Sequence, residues 1–378
     1  MSAPIHILHL HSTFSLGGKE ARAVRLMNAF GDCARHTILS AMPEALSARD
    51  AIDAAIAVDF PTDAPPLHGK PGIRRYRALA RYMRRFDLVL SYNWGAMDGV
   101  MTHRVFGSGL PPIVHHEDGF NADEADGLKT KRNLYRRAGF PTLYRLVVPS
   151  NQLRAIARRV WKQPESRVQQ IANGIPVERY SEPPVPDGIP GFKRGPGDVV
   201  IGTIAGLREV KDLPRLVRAI AQLPDHVRLV IAGEGPERSA IAAEAERCGV
   251  VDRVLLAGFL DRPWRYVGHF DIFALSSRSE QFPISVVEAM AAGLPIVSTD
   301  VGDVATMVSK SNRSLLAHDD AAIVQALEML EKDGKMRSII GSANRAKAIA
   351  EYDENQMIAA YAALYGDAVG RPELLVRE

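Results

Sequence analysis

Apolar positions along this chain fall into two rhythms. Short, nearly unbroken apolar runs are separated by longer stretches in which apolar residues recur every three or four positions. The first kind predicts buried strands and the second amphipathic helices. In the front half the predicted strands are 5–9, 36–40, 88–92, 113–115 and 146–148. In the back half they are 199–204, 227–232, 254–257, 272–274 and 295–298. Helical patterns lie between them, as at 21–30, 215–222 and 238–248. Strands alternating with helices predict a parallel sheet covered on both faces, here twice over. Ligands of such sheets bind beyond the carboxyl ends of the strands, so the loops that follow strands are where chemistry is expected.

Composition agrees with two ordinary domains. The chain has 378 residues, 46% hydrophobic and 24% charged, enough to bury two cores and unlike a disordered chain. Residues 182–198 hold five prolines and four glycines, which suits neither a helix nor a central strand. The expected division is therefore residues 1–185, a linker at 186–198, and a second domain at 199–353. No apolar run approaches the roughly 18 residues needed to cross a bilayer. The first residues lack a basic n-region and read as a strand, not a leader peptide. Cys33 and Cys248 are the only cysteines, so neither a disulfide framework nor a cysteine zinc site is expected, and a reducing cytoplasm is the expected location. Charge is uneven. Residues 1–190 carry 25 Lys and Arg against 18 Asp and Glu, and the remainder 22 against 26. A basic front half points to an anionic surface or substrate near it.

Four loops carry candidate chemistry. After the first strand, Gly17 and Gly18 precede a helix, where backbone N–H groups can approach a phosphate or sugar; a plain tight turn is the alternative. After the strand at 113–115 come His115, His116, Glu117 and Asp118. Groups this polar are poor core material, and a histidine here can orient or polarise a sugar hydroxyl; a surface turn is the alternative. After the strand at 199–204, Gly206, Arg208 and Lys211 lead into a helix, and two cations at a helix entry suit a diphosphate. After the strand at 272–274 comes the most specific segment, Glu280-Gln281-Phe282-Pro283-Ile284-Ser285-Val286-Val287-Glu288. Ser285 and Glu288 fit a capping box, but that leaves Glu280 unexplained. Backbone amides from Gln281 to Ser285 can hold a sugar and its phosphate. Each glutamate offers two acceptor oxygens to a pair of neighbouring hydroxyls.

Glu280 to Glu288 resembles the E-x7-E signature of retaining glycosyltransferases of the GT-B fold, particularly glycosyltransferase family 4. The turns Asn173-Gly174-Ile175, Gly233-Glu234-Gly235-Pro236 and Gly258-Phe259 resemble the same family, as do the strand-then-serine at 147–150 and the aromatic tail from Tyr352 to Tyr365. The resemblance implies two Rossmann-like parallel-sheet domains facing a central cleft, with a C-terminal helix, about 354–378, crossing back to the first. It implies that Arg208 and Lys211 neutralise the leaving diphosphate, that Glu280 positions the transferred sugar, that Glu288 binds the ribose, and that Gly17 and Gly18 approach the diphosphate. Gly258 and Phe259 would lie near the base. His115 or His116 would be the active-site histidine, although another alignment puts Asp118 there. No metal or other cofactor is expected. Three departures stand out: the family often has Arg where Gly206 stands and Gly where Gln281 stands, and its downstream glutamate is here Thr306.

The resulting expectation is a retaining transferase that moves a sugar from a nucleotide-sugar to a glycan or lipid-linked acceptor in envelope or exopolysaccharide synthesis. A nucleotide-sugar 2-epimerase of related fold and a non-catalytic nucleotide- or glycan-binding module are the alternatives. The stretch 73–86 places Ile73, Tyr76, Ala80, Met83 and Phe86 near one helical stripe among six arginines. This suits an ordinary amphipathic surface helix, with peripheral contact with an anionic membrane as the alternative. Basic residues without interleaved aromatic platforms do not suit nucleic acid.

Overall fold

The computed structural model of the protein describes residues 3–70, 72–120, 124 and 128–375. The chain divides into two compact units, Met1–Asn173 with Asn355–Glu378, and Gly174–Glu354.

In the first unit seven described strands form one parallel sheet in the order β3-β2-β1-β4-β5-β6-β7. They are β1 (Ile5–His11), β2 (Ala34–Ser40), β3 (Val58–Asp59), β4 (Leu88–Tyr92), β5 (Ile113–His116), β6 (Arg145–Val148) and β7 (Val168–Gln170). Helices α1 (Gly18–Phe30), α2 (Ile73–Met83), α3 (Met97–Phe106), α4 (Thr130–Gly139) and α5 (Asn151–Arg159) connect them. Alternation along β1 serves two cores. Ile5 and Ile7 join a cluster with Phe30, Tyr361 and Tyr365, while Leu8 and Leu10 join one with Leu79, Phe140 and Trp161. A parallel sheet with both faces covered needs strands that are apolar on both sides, hence the continuous runs.

The second unit has six described strands in the order β10-β9-β8-β11-β12-β13. They are β8 (Val199–Ile204), β9 (Val227–Ala232), β10 (Val254–Gly258), β11 (Ile272–Leu275), β12 (Ile296–Thr299) and β13 (Leu316–Ala317). Helices α6 (Leu213–Ile220), α7 (Arg238–Arg247), α8 (Ile284–Ala291), α9 (Val304–Met307), α10 (Asp320–Lys332) and α11 (Gly334–Glu351) follow the strands, and α12 (Glu354–Ala368) carries the chain back into the first unit. Strand β8 has β9 on one side and β11 on the other. The chain reverses its direction of travel across the sheet there, so the loops after β8 and β11 diverge from a crevice at the carboxyl edge.

The chain crosses between the units at Asn173/Gly174 and again at Glu354/Asn355, not at the expected linker 186–198. The Pro- and Gly-rich stretch lies along the second unit instead. Val185 N–H donates to Arg265 O at 2.8 Å, and His269 Nε2 to Val185 O at 2.7 Å. Proline bars regular structure, yet its neighbours' main-chain groups still find partners, so 174–198 belongs with the domain expected to begin at 199. The basic helix also differs from expectation. Tyr76, Leu79, Ala80 and Met83 of α2 are buried in the first unit, and Phe86 beyond it as well. Ile73 alone of the apolar stripe stays exposed, at 64%, beside the exposed Arg74, Arg77, Arg81, Arg84 and Arg85. What remains is an arginine face, not an amphipathic one.

Candidate active site

The loop after β8 is held from behind. Ala205 N–H donates to Ala232 O at 3.0 Å, Leu207 N–H to Glu234 O at 2.9 Å, and Glu237 N–H to Leu207 O at 3.0 Å. Gly233, with φ +150, makes this approach feasible, since a Cβ there would stand 1.8 Å from Ala205 O. Gly206 and Arg208 are left exposed on the outer side of the loop. A side chain begun at position 206 would have its Cβ 3.7 Å from Arg208 Nε, so the guanidinium of Arg208 already stands beside the place where the resemblance expects an arginine. Arg208 has no ion-pair partner among the described residues. A 3-10 turn, Glu209–Lys211, follows, and Asp212 enters α6 at φ +44.

The loop after β11 is tied to this one. Ser276 Oγ donates to Lys211 O at 2.9 Å. Arg278 N–H donates to Val210 O at 2.8 Å, and Arg278 Nε to Asp212 Oδ2 at 3.1 Å. The ties deliver Lys211 Nζ to Glu280 Oε1 at 2.5 Å, and Ser277 Oγ donates to the same oxygen at 2.7 Å. Both side chains are largely enclosed, 15% and 12% exposed. From the other side, Gly302 at φ +56 backs the loop. A Cβ at 302 would lie 2.6 Å from Glu280 O and 2.9 Å from Gln281 O, and Asp303 N–H donates to Gln281 O at 3.2 Å.

Helix α8 begins at Ile284 with Pro283 at its N-cap and no side-chain cap. Ser285 therefore lies inside the first turn, and the expected Ser285–Glu288 capping box does not form. A proline has no N–H to satisfy, and the helix starts two residues earlier than a Ser285 cap would place it. Ser285 and Glu288 are both half-buried. Tyr266 has its phenol pushed up by burial, and secondly by the Glu288 carboxylate. Phe282 sets its ring edge-on to Tyr352 at 5.6 Å. Gly258 ends β10 and leaves the following Phe259 69% exposed.

The second unit thus brings together Lys211 and Glu280, places Arg208 and Gly206 on the loop carrying Lys211, and puts Gln281, Phe282, Pro283, Ile284, Ser285 and Glu288 on the loop and helix carrying Glu280. A free guanidinium, an ammonium shared with a carboxylate and carboxylates with acceptor oxygens suit an anion joined to a polyol. Ser276, Ser277 and Arg278 escaped the sequence reading. Their signal is a serine pair at a strand exit three residues before a glutamate, and its meaning depends on β8 and β11 being neighbours.

In the first unit Gly17 caps α1 with extended backbone, and both Gly17 and Gly18 are exposed. A Cβ at 17 would meet Glu20 Oε2 at 3.1 Å, and Glu20 pairs with Lys19. His115 and His116 are the last two residues of β5 and point to opposite faces of the sheet. Neither is exposed, at 0% and 1%, against the expectation of rings at an open strand end. His115 Nδ1 meets Ser91 Oγ at 2.8 Å and Nε2 meets Glu117 Oε2 at 3.4 Å. His116 Nδ1 meets Ser91 O at 3.2 Å and so carries the proton, which leaves Nε2 to accept from Tyr365 OH at 2.8 Å. Burial, and next the nearby Arg22, bring the His116 imidazole down to about 3, so it is neutral at pH 7.

The polar residues beyond β5 are buried because each carboxylate has a fork of its own. Arg136 donates to Glu117 through Nε at 3.0 Å and Nη2 at 3.1 Å. Arg22 grips Asp118 through both Nη atoms and also reaches Asn173 Oδ1 at 2.8 Å. Burial would raise both carboxyls, but the two guanidiniums hold them below the usual range. Among the described residues no group of three or more His, Cys, Asp or Glu side chains could hold a metal ion. No described helix is long and apolar enough to cross a membrane.

Two family models match the chain, "Glycosyltransferase Family 4" over residues 16–179 and "Glycosyl transferases group 1" over residues 191–347. Among curated proteins, N-acetyl-alpha-D-glucosaminyl L-malate synthase of Bacillus anthracis is 26% identical over 170 residues, 44% of this chain and 45% of that protein. 2-Deoxystreptamine glucosyltransferase of Streptomyces kanamyceticus is 33% identical over 126 residues, 32% and 33% of the two chains. The matches thus span less than half the length of these relatives. Among solved structures, HepE of Anabaena in complex with UDP superposes with a TM-score of 0.79 at 18% identity, over 96% of this chain and 100% of that one. WaaG, a glycosyltransferase involved in lipopolysaccharide biosynthesis, does so with a TM-score of 0.68 at 16% identity, over 99% and 100%. With two parallel sheets of this topology and family models matched along both units, the chain belongs to glycosyltransferase family 4 and has the GT-B fold.

Proposed function

We propose that the protein takes a sugar from a nucleoside-diphosphate-sugar and transfers it, with retention of configuration, to a hydroxyl of a glycan or lipid-linked acceptor in envelope or exopolysaccharide synthesis. The observation that carries this reading is the meeting of Lys211 and Glu280 at the switch point of the second sheet, on loops that also carry Arg208 and Glu288. Arg208 and Lys211 take up charge on the departing diphosphate, in the role a metal ion fills elsewhere. Charge stabilisation aimed at a leaving group is a large part of such a barrier. Glu280 holds hydroxyls of the transferred sugar and Glu288 the ribose diol, while Gly258 and Phe259 lie at the base. The acceptor hydroxyl attacks the face that the diphosphate leaves, its proton passing to the phosphate. His115 and His116, both enclosed, shape the first unit and take no proton from the acceptor. The presence of UDP in the HepE complex and the glycosyl-transfer names of the relatives support this choice of donor class.

The test is turnover of UDP- and GDP-sugars by the purified protein, with and without glycan and polyprenyl-linked acceptors, followed by NMR of the anomeric centre. Transfer with the donor's configuration retained is the expected result. Donor consumed to a free epimerised sugar without acceptor would favour the epimerase, and binding without turnover the non-catalytic module. The arginine face of α2 supports a cytoplasmic protein that touches anionic membrane by charge, without insertion. Co-sedimentation with phosphatidylglycerol vesicles at low salt, lost at high salt, is expected; no binding at low salt would end that part of the proposal.

A further inference from the structure

The position after Glu280, where the resemblance expects glycine, carries a side-chain amide, and no described residue uses it. Gln281 Oε1 is buried with no hydrogen-bond partner. Its Nε2 likewise has none among the described residues. A buried, unpaired acceptor costs free energy that folding alone does not return, so such an atom calls for an external partner.

The main chain that carries the amide is held in place. The Gln281 main-chain carbonyl accepts from Asp303 N–H at 3.2 Å, and the Gly302 turn lies against the main-chain carbonyls of residues 280 and 281. Its neighbours are fixed as well, Glu280 by Lys211 and Ser277, and Phe282 against Tyr352. An unpaired amide next to the carboxylate proposed to hold hydroxyls suits a ligand group that both donates and accepts.

We infer that the Gln281 side chain reads the transferred sugar, selecting a neutral hexosyl or acetamidohexosyl group over a uronic acid. The inference rests on the donor reading given above. A hydroxyl or an acetamido group can donate to Oε1 and accept from Nε2. A uronate carboxylate has no proton for Oε1 and would stand beside Glu280. Sites built to hydrogen-bond a substrate group discriminate strongly, because the wrong substrate leaves them unpaired.

The test is calorimetric binding of UDP, UDP-glucose, UDP-galactose, UDP-N-acetylglucosamine and UDP-glucuronate, with GDP and GDP-mannose alongside, to the wild type and Gln281→Met. The wild type should favour a neutral sugar nucleotide over the bare diphosphate and over the glucuronate. Gln281→Met should lose about five- to tenfold of the affinity for that sugar nucleotide, the worth of one or two neutral hydrogen bonds, and bind the bare diphosphate within about twofold of wild type. Its melting temperature without ligand should be no lower, since the orphaned acceptor is gone. Unchanged sugar affinity in Gln281→Met, or no preference among sugars in the wild type, would overturn the inference. So would a marked fall in melting temperature, which would assign the amide a structural role. Failure of every nucleotide to bind the wild type would instead overturn the donor reading beneath it.

Discussion

The two ligand roles proposed for Lys211 and Glu280 can be separated. The carboxylate sits 2.5 Å from the ammonium proposed to take a diphosphate. Glu280→Gln removes a negative charge beside an anion site, so UDP should bind several-fold tighter, while UDP-sugars gain nothing because the sugar's acceptor is weakened. Isothermal titration reads both, and equal changes for the two ligands would show that Glu280 does not distinguish sugar from phosphate. Lys211→Ala should cut turnover about 100- to 1000-fold, the usual effect of losing one aimed charge, with circular dichroism and melting little changed. The single-residue chemistry was legible: cations and carboxylates at strand ends are conspicuous. The contact between Lys211 and Glu280 was not, because it depends on β11 lying next to β8, a fact of strand order that no spacing reveals. The burial of His115 and His116 was equally hidden, since it is supplied by Arg136, Tyr365 and Phe140 from distant parts of the chain.

At the scale of elements, one face of the first sheet holds an unusual load of imidazole. His9 and His11 on β1, His36 on β2 and His116 on β5 are all buried. His9 Nε2 meets His36 Nδ1 at 3.0 Å, and both nitrogens of His11 lack hydrogen-bond partners among the described residues. Tyr92, Tyr361, Tyr365, Arg22, Lys19, Glu20 and Asp118 face them from β4, α12, α1 and the β5 exit, and His6 lies beside His36. Burial lowers all four, His36 to about 4 and His116 to about 3. The folded protein therefore prefers the neutral rings. Below the unfolded value of 6.5 the unfolded chain binds more protons, and stability falls as pH drops toward the folded values, by about 1.4 kcal/mol per pH unit for each such histidine. Thermal melts between pH 7 and 5 should show a clear decline, and His36→Asn should flatten its slope. An identical slope in that variant would exonerate His36. The strands carrying these rings could be read because fully buried parallel strands are apolar throughout. β3, β7 and β13, two or three residues each, are too short to produce any pattern, and α8 starts where a proline, not a serine, permits.

For the whole molecule, α12 is the tail of the chain yet part of the first core. Met357, Tyr361, Leu364 and Tyr365 are buried there with Phe30, and Tyr365 also donates to His116. Truncation after Glu354 should therefore unfold the first unit and leave the second, whose cluster around Ile201, Leu229 and Leu327 draws on none of these residues. Hydrogen exchange would show β1–β7 losing protection while β8–β12 keep theirs; uniform loss would mean that the two cores are not independent. The two-unit plan was legible from the double strand-and-helix alternation, but the crossing points were not. Asn173-Gly174 is an inconspicuous dipeptide beside the louder Pro- and Gly-rich stretch that follows.

The two crossings have a further consequence. Ile175 bridges Asp353, Ile175 N–H donates to Tyr352 O at 3.0 Å and Glu354 N–H to Ile175 O at 2.9 Å, and Gly174 fits only because its neighbour there is main chain, with Asp353 O 2.8 Å from where a Cβ would be. The second unit thus begins and ends at one spot, as a cassette does between two adjacent restriction sites. Recombination that exchanges residues 174–354 for the equivalent piece of another such gene carries both sides of that pairing across together, so the inserted half arrives with its own two ends already joined.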